Sequence, residues 1–262
     1  MRVSYIRSLG TFTLLKVQHN SYRSTINLKA QIRTQAMSNQ QMFLWWGSGS
    51  CPCWKPMIVL AEKGLWKGLP NKLISFDEEE YRCSDILAIN PRGQVPTFKD
   101  GELVVNESNA ICMYLEEKYS MAENRLLPET PEQRSTVYWK IFEASNVEIK
   151  VLDALAYYFY YTKKEDRNDE VIKEKVATAK TELAHWEKAL TGKSYLVGDN
   201  FTLADVCFYP YIAFLVRLGA SLKDYPALRK YYDTITARPS VQATWPPHWR
   251  EGPTAENHLA AL

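Results

Sequence analysis

A proline between two apolar, strand-like residues limits what this chain can fold into more than any other feature. Pro96 follows Val95 and precedes Phe98 by two positions. Proline has no backbone N–H to donate, so near a sheet it fits only a turn or a strand edge. If the Val95–Pro96 bond is cis, the backbone N–H and C=O of Val95 turn outward and can pair with a peptide-like ligand.

The residues that follow add a second binding element. Val104 and Val105 predict the end of a strand, and Asn106-Glu107-Ser108 predicts the start of a helix. The first N–H groups of a helix have no partner within it, and with a hydroxyl they form a ready carboxylate site. A hairpin and a capped helix that bind nothing are the plain alternative. The segment therefore offers an edge for a peptide backbone and a pocket for an anion.

The order of the predicted elements divides the chain in two. Residues 42–120 predict β-α-β followed by β-β-α, with a hairpin turn signal at Asp100-Gly101. The β-α-β unit implies a parallel strand pair and the hairpin an antiparallel one, which together make a thioredoxin-like mixed α/β sheet. The predicted strands cover 42–46, 73–76, 95–98 and 103–105, and the predicted helices cover 54–63 and 107–119.

The second half predicts an all-helical domain over 133–262, after a proline-containing linker over 121–132. Thr202 with Asp205 has the pattern of a capping box and opens an apolar helix. That run contains Pro210 and is shorter than the roughly 18 to 20 residues of a membrane helix, so it predicts a buried core helix and no membrane span. The predicted helices cover 133–161, 169–191, 202–216 and 226–237.

Charge separates the first residues from the rest. Residues 1–36 contain six basic residues and no acidic one. Such a stretch is typical of a mitochondrial transit peptide, and a disordered leader before Met37 or Met42 is the alternative. We therefore interpret residues 1–41 as a leader outside the fold and predict a cytoplasmic protein, or a mitochondrial one if the leader is a transit peptide. The remainder has a slight excess of acidic residues, which argues against a nucleic-acid partner.

Cysteine and histidine usage points to neither a disulfide framework nor a metal site. The five cysteines are odd in number and irregularly spaced, and the four histidines are scattered without metal-ligand spacing. The cysteines are Cys51, Cys53, Cys83, Cys112 and Cys207.

The Val-Pro and Glu-Ser pairs at this spacing resemble the glutathione site of the soluble glutathione transferases. In that family the Val-Pro pair holds the cysteinyl part of glutathione, and the (Glu/Gln)-Ser pair holds its γ-glutamyl carboxylate. The resemblance implies glutathione as co-substrate, no permanently bound cofactor, a homodimer and a thioredoxin-like domain joined to a helical one. The glutathione-binding residues that it implies are Gln94, Val95, Pro96, Glu107 and Ser108.

The chain from Met42 to Trp249 is most similar to the rho class, which is itself similar to theta and zeta enzymes. The shared segments are the Gly-Ser-Gly-Ser turn ending at Ser50, the Asn-Pro-Arg segment, Asn-Glu-Ser and the Trp-Pro-Pro-His-Trp tail. The implied activity joins glutathione to an electrophile as a thioether. The sequence departs from the pattern at Cys51, where proline or a small residue is expected, and at Lys55-Pro56, where Arg-Val is usual.

The chemistry of this family needs a thiolate at neutral pH. A free thiol with a pKa near 8.5 is only a few per cent ionised at pH 7. Lowering that pKa by about two units corresponds to about 2.7 kcal/mol of preferential thiolate binding. A hydroxyl that donates to the anion supplies an energy of that order, and a helix N-terminus adds a little.

The turn between the first strand and the first helix is the natural place for that hydroxyl. The run from Trp54 to Gly64 resembles the first helix of zeta- and theta-like classes, and on that register Ser50 falls on their catalytic serine. Ser48 is a second candidate. A one-residue slip would make Cys51 resemble the Cys-Pro of omega-class and glutaredoxin sites, where a mixed disulfide with glutathione forms. A semi-buried structural thiol is the other interpretation of Cys51.

Assignments for the rest of the site rest on weaker signals. An apolar electrophile pocket is expected between the first turn, the long helix and the tail. Aromatic residues at helical spacing are more often core residues than pocket walls. The pocket candidates are Trp46, Phe142, Asn146, Tyr157 and Tyr158, and the candidates for the glycine end of glutathione are Tyr81 and Arg82.

Three functions remain open at this point. The first is conjugation of glutathione to small hydrophobic electrophiles, with Ser50 as the hydroxyl, in detoxification. The second is a glutathione-dependent thiol transferase or dehydroascorbate reductase that uses Cys51. The third is a non-catalytic binding module with the same fold. The sequence favours the first, because the strand-one hydroxyl and the Glu-Ser pair are both present.

Overall fold

The computed structural model describes residues 41–251, 259–260 and 262. The predicted leader lies outside the described residues except for Gln41, so both interpretations of it stay predictions, as do the domain boundaries. Among the described residues, no helix is long and apolar enough to cross a membrane.

Four strands form one mixed sheet in the order β2-β1-β3-β4. Strand β1 is parallel to β2 and antiparallel to β3, and β3 is antiparallel to β4. This confirms the predicted thioredoxin-like sheet. Strand β3 begins just after Pro96, because proline has no N–H for the ladder. The strands are β1 (Met42–Trp46), β2 (Asn71–Leu73), β3 (Thr97–Asp100) and β4 (Leu103–Val105).

Two long helices pack against each other in the first domain. They are α1 (Cys51–Glu62) and α3 (Ser108–Tyr119). The short α2 (Ser84–Leu87) lies between them in the sequence. Helix α1 starts earlier than predicted, because the side chain of Ser50 caps it and a proline lies in its first turn.

The second domain is helical, as predicted. The predicted long helix over 133–161 is divided, with a π-helical stretch over Glu148–Ala156. A π-helical stretch inside a helix is often found at a functional site. The α-helices are α4 (Pro131–Glu143), α5 (Ser145–Val147), α6 (Tyr157–Tyr161), α7 (Asp169–Leu190), α8 (Leu203–Arg217), α9 (Pro226–Thr236) and α10 (Pro239–Ala243).

The predicted capping box opens α8. The backbone N–H of Thr202 donates to Asp205 Oδ2 at 2.8 Å, and the N–H of Asp205 donates to the Thr202 carbonyl at 3.0 Å. Asp205 also accepts the N–H of Leu196 at 2.9 Å. The carboxyl group is fully buried, so it organises the helical core rather than facing a ligand.

Helix α1 contacts both domains. The buried Lys55 donates to Tyr211 of α8 at 2.7 Å and to Asn109 of α3 at 3.3 Å. Tyr211 in turn donates to Glu148, the first residue of the π-helical stretch, at 2.5 Å. The start of α1 is therefore fixed between the first turn of α3 and the helical domain.

Candidate active site

The turn after β1 presents the two serines predicted from the sequence. Ser50 is the N-cap of α1, and its hydroxyl oxygen accepts the N–H of Cys53 at 3.4 Å. This hydrogen bond uses the oxygen and leaves the hydroxyl hydrogen available to a ligand. Gly49 has φ of 78°, a conformation in which glycine is favoured over residues with a side chain. The turn therefore projects a hydroxyl at the positive end of a helix.

The Val95–Pro96 peptide bond is cis. Thr97, which follows it, pairs with Trp45 across the antiparallel β1–β3 ladder. Because β1 ends at Trp46, Val95 and Pro96 lie next to the start of the turn that carries Ser50. Val95 is half-buried and Pro96 is buried, while the side chain of Gln94 is exposed.

Asn90 is a residue of this site that sequence reasoning missed. Its buried amide donates to the Gln94 carbonyl at 2.8 Å and to Thr97 Oγ1 at 3.1 Å, and its oxygen accepts the N–H of Arg92 at 3.2 Å. Asn90 therefore holds the loop that precedes Val95. The available signal was the Asn90-Pro91 dipeptide, since asparagine before proline favours the start of a turn.

The predicted anion site lies at the start of α3. Glu107 is the N-cap residue, its side chain makes no capping hydrogen bond, and Ser108 is the first residue of the helix. The first helical bond runs from Ile111 to the Glu107 carbonyl, so the preceding N–H groups have no partner within the helix. The Lys55–Asn109 hydrogen bond ties this helix start to the first turn of α1, near Ser50.

Known proteins resemble this chain over most of its length. Residues 47–125 match the family model for the glutathione S-transferase N-terminal domain, and residues 152–239 match that for the C-terminal domain. The chain is 40% identical to glutathione S-transferase A of Pleuronectes platessa over 222 residues, which cover 84% of this chain and 98% of that protein. It is 30% identical to glutathione S-transferase Z1 of Arabidopsis thaliana over 227 residues, covering 82% and 95% of the two chains.

A solved structure has the same architecture. The crystal structure of a glutathione S-transferase from the Antarctic clam Laternula elliptica superposes with a TM-score of 0.77 at 43% identity, covering 85% of this chain and all of that one. The chain belongs to the glutathione S-transferase family. The predicted family, fold and transferase activity are thereby confirmed. The similarity to the rho class stays a prediction.

In this transferase the thiols of the first turn of α1 are buried. Cys51 is 5% exposed, and its thiol donates to the Pro210 carbonyl at 3.3 Å. Burial holds the pKa of the Cys51 thiol well above its usual range. Burial also raises the pKa of Cys53 to about 11. Since the thiolate is the nucleophile, this burial favours a structural role for both thiols.

The predicted pocket residues do not all lie near the turn. Tyr157 is 39% exposed, and it lies close enough to Cys51 for that thiol, after desolvation, to contribute to the raised pKa of its hydroxyl. Trp46 packs in the core, with its indole N–H bonded to Asn71 at 2.9 Å, which does not support a place in the pocket wall. Phe142 is 64% exposed, on the outside of α4. The amide of Asn146, in α5, donates to the carbonyl of Glu143 at the end of α4 at 2.9 Å.

Of the other candidates, Tyr81 and Arg82 lie in the segment between β2 and α2, and Tyr158 lies near the start of α6. The ring centroid of Tyr81 lies 6.1 Å from that of Phe76, and the guanidinium of Arg82 lies 5.5 Å from the Tyr81 ring. Tyr158 accepts the N–H of Asn168 at 3.0 Å, which joins α6 to the start of α7.

The C-terminal tail reaches the turn directly. His248 Nδ1 lies 2.6 Å from Ser48 Oγ, although the two residues are 200 positions apart in the sequence. The indole of Trp249 is buried beside the same turn. Sequence reasoning placed the tail near the pocket but did not name His248 as a contact of the turn.

Proposed function

We propose that this transferase conjugates the thiol of glutathione to small hydrophobic electrophiles, and that Ser50 stabilises the thiolate. The observation that carries the proposal is the position of the Ser50 hydroxyl at the start of α1, in a turn that begins next to Val95 and Pro96. A hydroxyl and a helix N-terminus that point at one sulfur both favour its anion. Glutathione is then the co-substrate, and the electrophile reacts with it directly.

The proposed glutathione site extends from Val95 to the start of α3. A backbone edge at Val95 suits the cysteinyl peptide group, and the N–H groups at Ser108 suit the γ-glutamyl carboxylate. Glu107, whose side chain makes no capping hydrogen bond, suits the γ-glutamyl amino group by charge. Pro96 shapes the edge. Gln94 is the weakest member, because its exposed side chain makes no contact that fixes it towards the site.

The burial of Cys51 disfavours the thiol-transfer function. A mixed disulfide requires a thiolate that glutathione disulfide can reach. The thiol of Cys51 is buried and donates to the Pro210 carbonyl, so neither condition holds. A non-catalytic module is disfavoured by the confirmed transferase family and by the free hydroxyl hydrogen at Ser50.

The test is conjugation of glutathione to 1-chloro-2,4-dinitrobenzene by the wild type, Ser50→Ala and Cys51→Ala, with disulfide reduction assayed in parallel. We expect the wild type and Cys51→Ala to conjugate and Ser50→Ala to lose at least about tenfold in kcat/KM, the loss that a hydrogen bond to a charged group predicts. A Ser50→Ala variant of full activity contradicts the assignment of Ser50. Disulfide reduction that only Cys51→Ala abolishes favours thiol transfer instead.

We also propose a homodimer that acts in cytoplasmic detoxification. Trp139 and Phe142 lie one turn apart on α4 and are 61% and 64% exposed. Two large apolar side chains this exposed suit contact with a second copy of the chain. Sedimentation of the wild type and Trp139→Glu tests the assembly: the wild type should sediment as a dimer and the variant as a monomer. A monomeric wild type contradicts it.

A further inference from the structure

The turn that carries Ser50 is held by a residue from the far end of the chain. We infer that His248 is a positioning residue for this turn, and that its hydrogen bond with Ser48 keeps the Ser50 hydroxyl aligned with the glutathione sulfur. The inference rests on the proposed role of Ser50. It adds a residue that has no part in the glutathione site described above.

His248 contacts two consecutive residues of the turn. Its Nδ1 lies 2.6 Å from the Ser48 hydroxyl. A methyl group on Gly49 would lie 2.8 Å from Cε1 of the same ring, 3.2 Å from Nε2 and 3.0 Å from Trp249 Nε1. The imidazole therefore bonds to the first residue and covers the second, and Ser50 comes directly after them.

The other end of the turn is held as well. A methyl group on Gly47 would lie 2.2 Å from the ring of Phe76, so this ring packs directly against the backbone there. With Phe76 at Gly47 and His248 at Ser48 and Gly49, side chains from two distant segments enclose the turn. Both side chains therefore pack directly against the backbone of the turn.

The tail that carries His248 is itself anchored. The Trp249 ring stacks on Phe214 at an angle of 20°, and its edge meets Trp54 with ring centroids 5.4 Å apart. Trp54 donates to Thr244 Oγ1 at 2.9 Å. Although the His248 side chain is exposed, its backbone is therefore fixed to α1 and α8 by neighbouring residues.

The charge state of His248 suits a hydrogen-bond acceptor. Partial desolvation and the charge of Arg217 lower the pKa of His248, and Glu251 opposes them. The lowered pKa favours the neutral ring, and in the tautomer with Nδ1 unprotonated the ring accepts the Ser48 hydroxyl hydrogen. The Ser48 hydrogen is then bonded to His248. Ser50 uses only its oxygen in the bond from Cys53, and its hydroxyl hydrogen stays available to the sulfur. This division of roles between the serines favours Ser50 over Ser48 as the thiolate ligand.

The experiment compares His248→Ala, His248→Asn, Ser48→Ala and the Ser48→Ala/His248→Ala double variant. The amide of Asn occupies the position of Nδ1, so His248→Asn should restore the bond to Ser48. His185→Ala is the matched control, because His185 lies on α7 and bonds to Glu143 at 3.0 Å, in the helical domain. The readouts are kcat, the KM for glutathione, the melting temperature and the pKa of the bound thiol from ultraviolet titration of the thiolate.

We expect His248→Ala to lower kcat about ten- to a hundredfold, as a misplacement of the order of 1 Å does. We expect it to raise the pKa of the bound thiol by about one unit, which corresponds to a tenfold loss of thiolate preference. The KM for glutathione should stay within about twofold. Ser48→Ala should lower kcat and raise the thiol pKa to the same extent. The double variant should lose no more kcat than either single variant. His248→Asn should recover most of the lost kcat.

The result that overturns the inference is a bound thiol whose pKa rises in Ser50→Ala but is unchanged in His248→Ala. A loss that His248→Asn does not recover, or that adds to the loss in Ser48→Ala, overturns it too, because a general loss of stability would act in that way. The proposed role of Ser50 fails separately, if Ser50→Ala itself leaves the thiol pKa unchanged.

Discussion

The Ser50 hydroxyl oxygen lies 3.4 Å from the backbone nitrogen of Cys53 and accepts its N–H. The proposed thiolate ligand is therefore also the N-cap of α1. Capping uses a lone pair of the oxygen and thiolate binding uses the hydrogen, so one side chain serves both at once. Replacement by alanine removes both contributions, and a further set of variants is needed to separate them.

The first prediction separates capping from catalysis at Ser50. Ser50→Gly should lower the free energy of unfolding by only a few tenths of a kcal/mol, because glycine is a good N-cap, whereas Ser50→Ala should lower it by about 1 kcal/mol. Both should lose conjugation equally, since neither has a hydroxyl. Ser50→Thr should keep both properties. Urea unfolding and the conjugation assay measure the two effects, and a conjugating Ser50→Gly would show that the hydroxyl is not needed.

The second prediction concerns the contact between Gly49 and the tail. Gly49→Ala should lower the free energy of unfolding by about 1–2 kcal/mol through its left-handed backbone alone. It should also lower kcat, because its methyl group would push against His248 and Trp249.

Gly198→Ala is the matched control for this substitution. Gly198 also has positive φ, at 66°, but a methyl group there would meet nothing within 4 Å. The control should lose similar stability and keep full activity per folded molecule. Equal kcat for the two variants would show that the contact between the tail and Gly49 does not affect catalysis.

Local signals predicted most of the fold, because the interactions that define it are short in sequence. The capping box joins Thr202 and Asp205, which are only three positions apart, and the structure forms it as expected. The hairpin of β3 and β4 likewise follows from alternation around Asp100-Gly101. The predicted boundaries were less accurate. Strand β2 begins two residues before its predicted start, at Asn71, which pairs with Leu44 of β1.

The contacts that a sequence pattern cannot show are those between distant segments. Nothing near Ser48 indicates that His248 bonds to it, since the contact arises only when the tail packs on α1 and α8. Trp46 could line a pocket or fill the core, and its bond to Asn71, a contact formed only on folding, favours the core. For Cys51, burial and the bond to the Pro210 carbonyl favour a structural thiol over a reactive one.

The third prediction uses that burial. Iodoacetamide at pH 7.5 should modify Cys83 first, because it is half-buried while Cys51, Cys53, Cys112 and Cys207 are buried. Conjugating activity should survive the modification, since no step of the proposed mechanism needs a protein thiol. Mass spectrometry of peptides from the treated enzyme identifies the modified residue, with urea-unfolded protein as the control in which all five react. Rapid modification of Cys51 together with loss of activity would contradict both its burial and the choice of Ser50.

The fourth prediction is a pH dependence of stability at Asp205. Burial raises the pKa of this carboxyl to about 6, while an unfolded chain has a value near 3.9. The folded protein therefore binds the proton more tightly than the unfolded chain does. From about pH 4 to about pH 6, this group makes the free energy of unfolding fall as the pH rises.

Asp205→Asn cannot titrate, and it loses one acceptor for the N–H groups of Leu196 and Thr202. It should be less stable than the wild type by about 1–3 kcal/mol at pH 4. The difference should shrink towards pH 6, because only the wild type loses stability through this group, and urea unfolding at each pH measures it. Asp199→Asn, at an exposed position, is the control and should follow the wild type throughout. A difference that instead grows with pH would mean that the donated hydrogen bonds outweigh burial and hold the carboxylate charged.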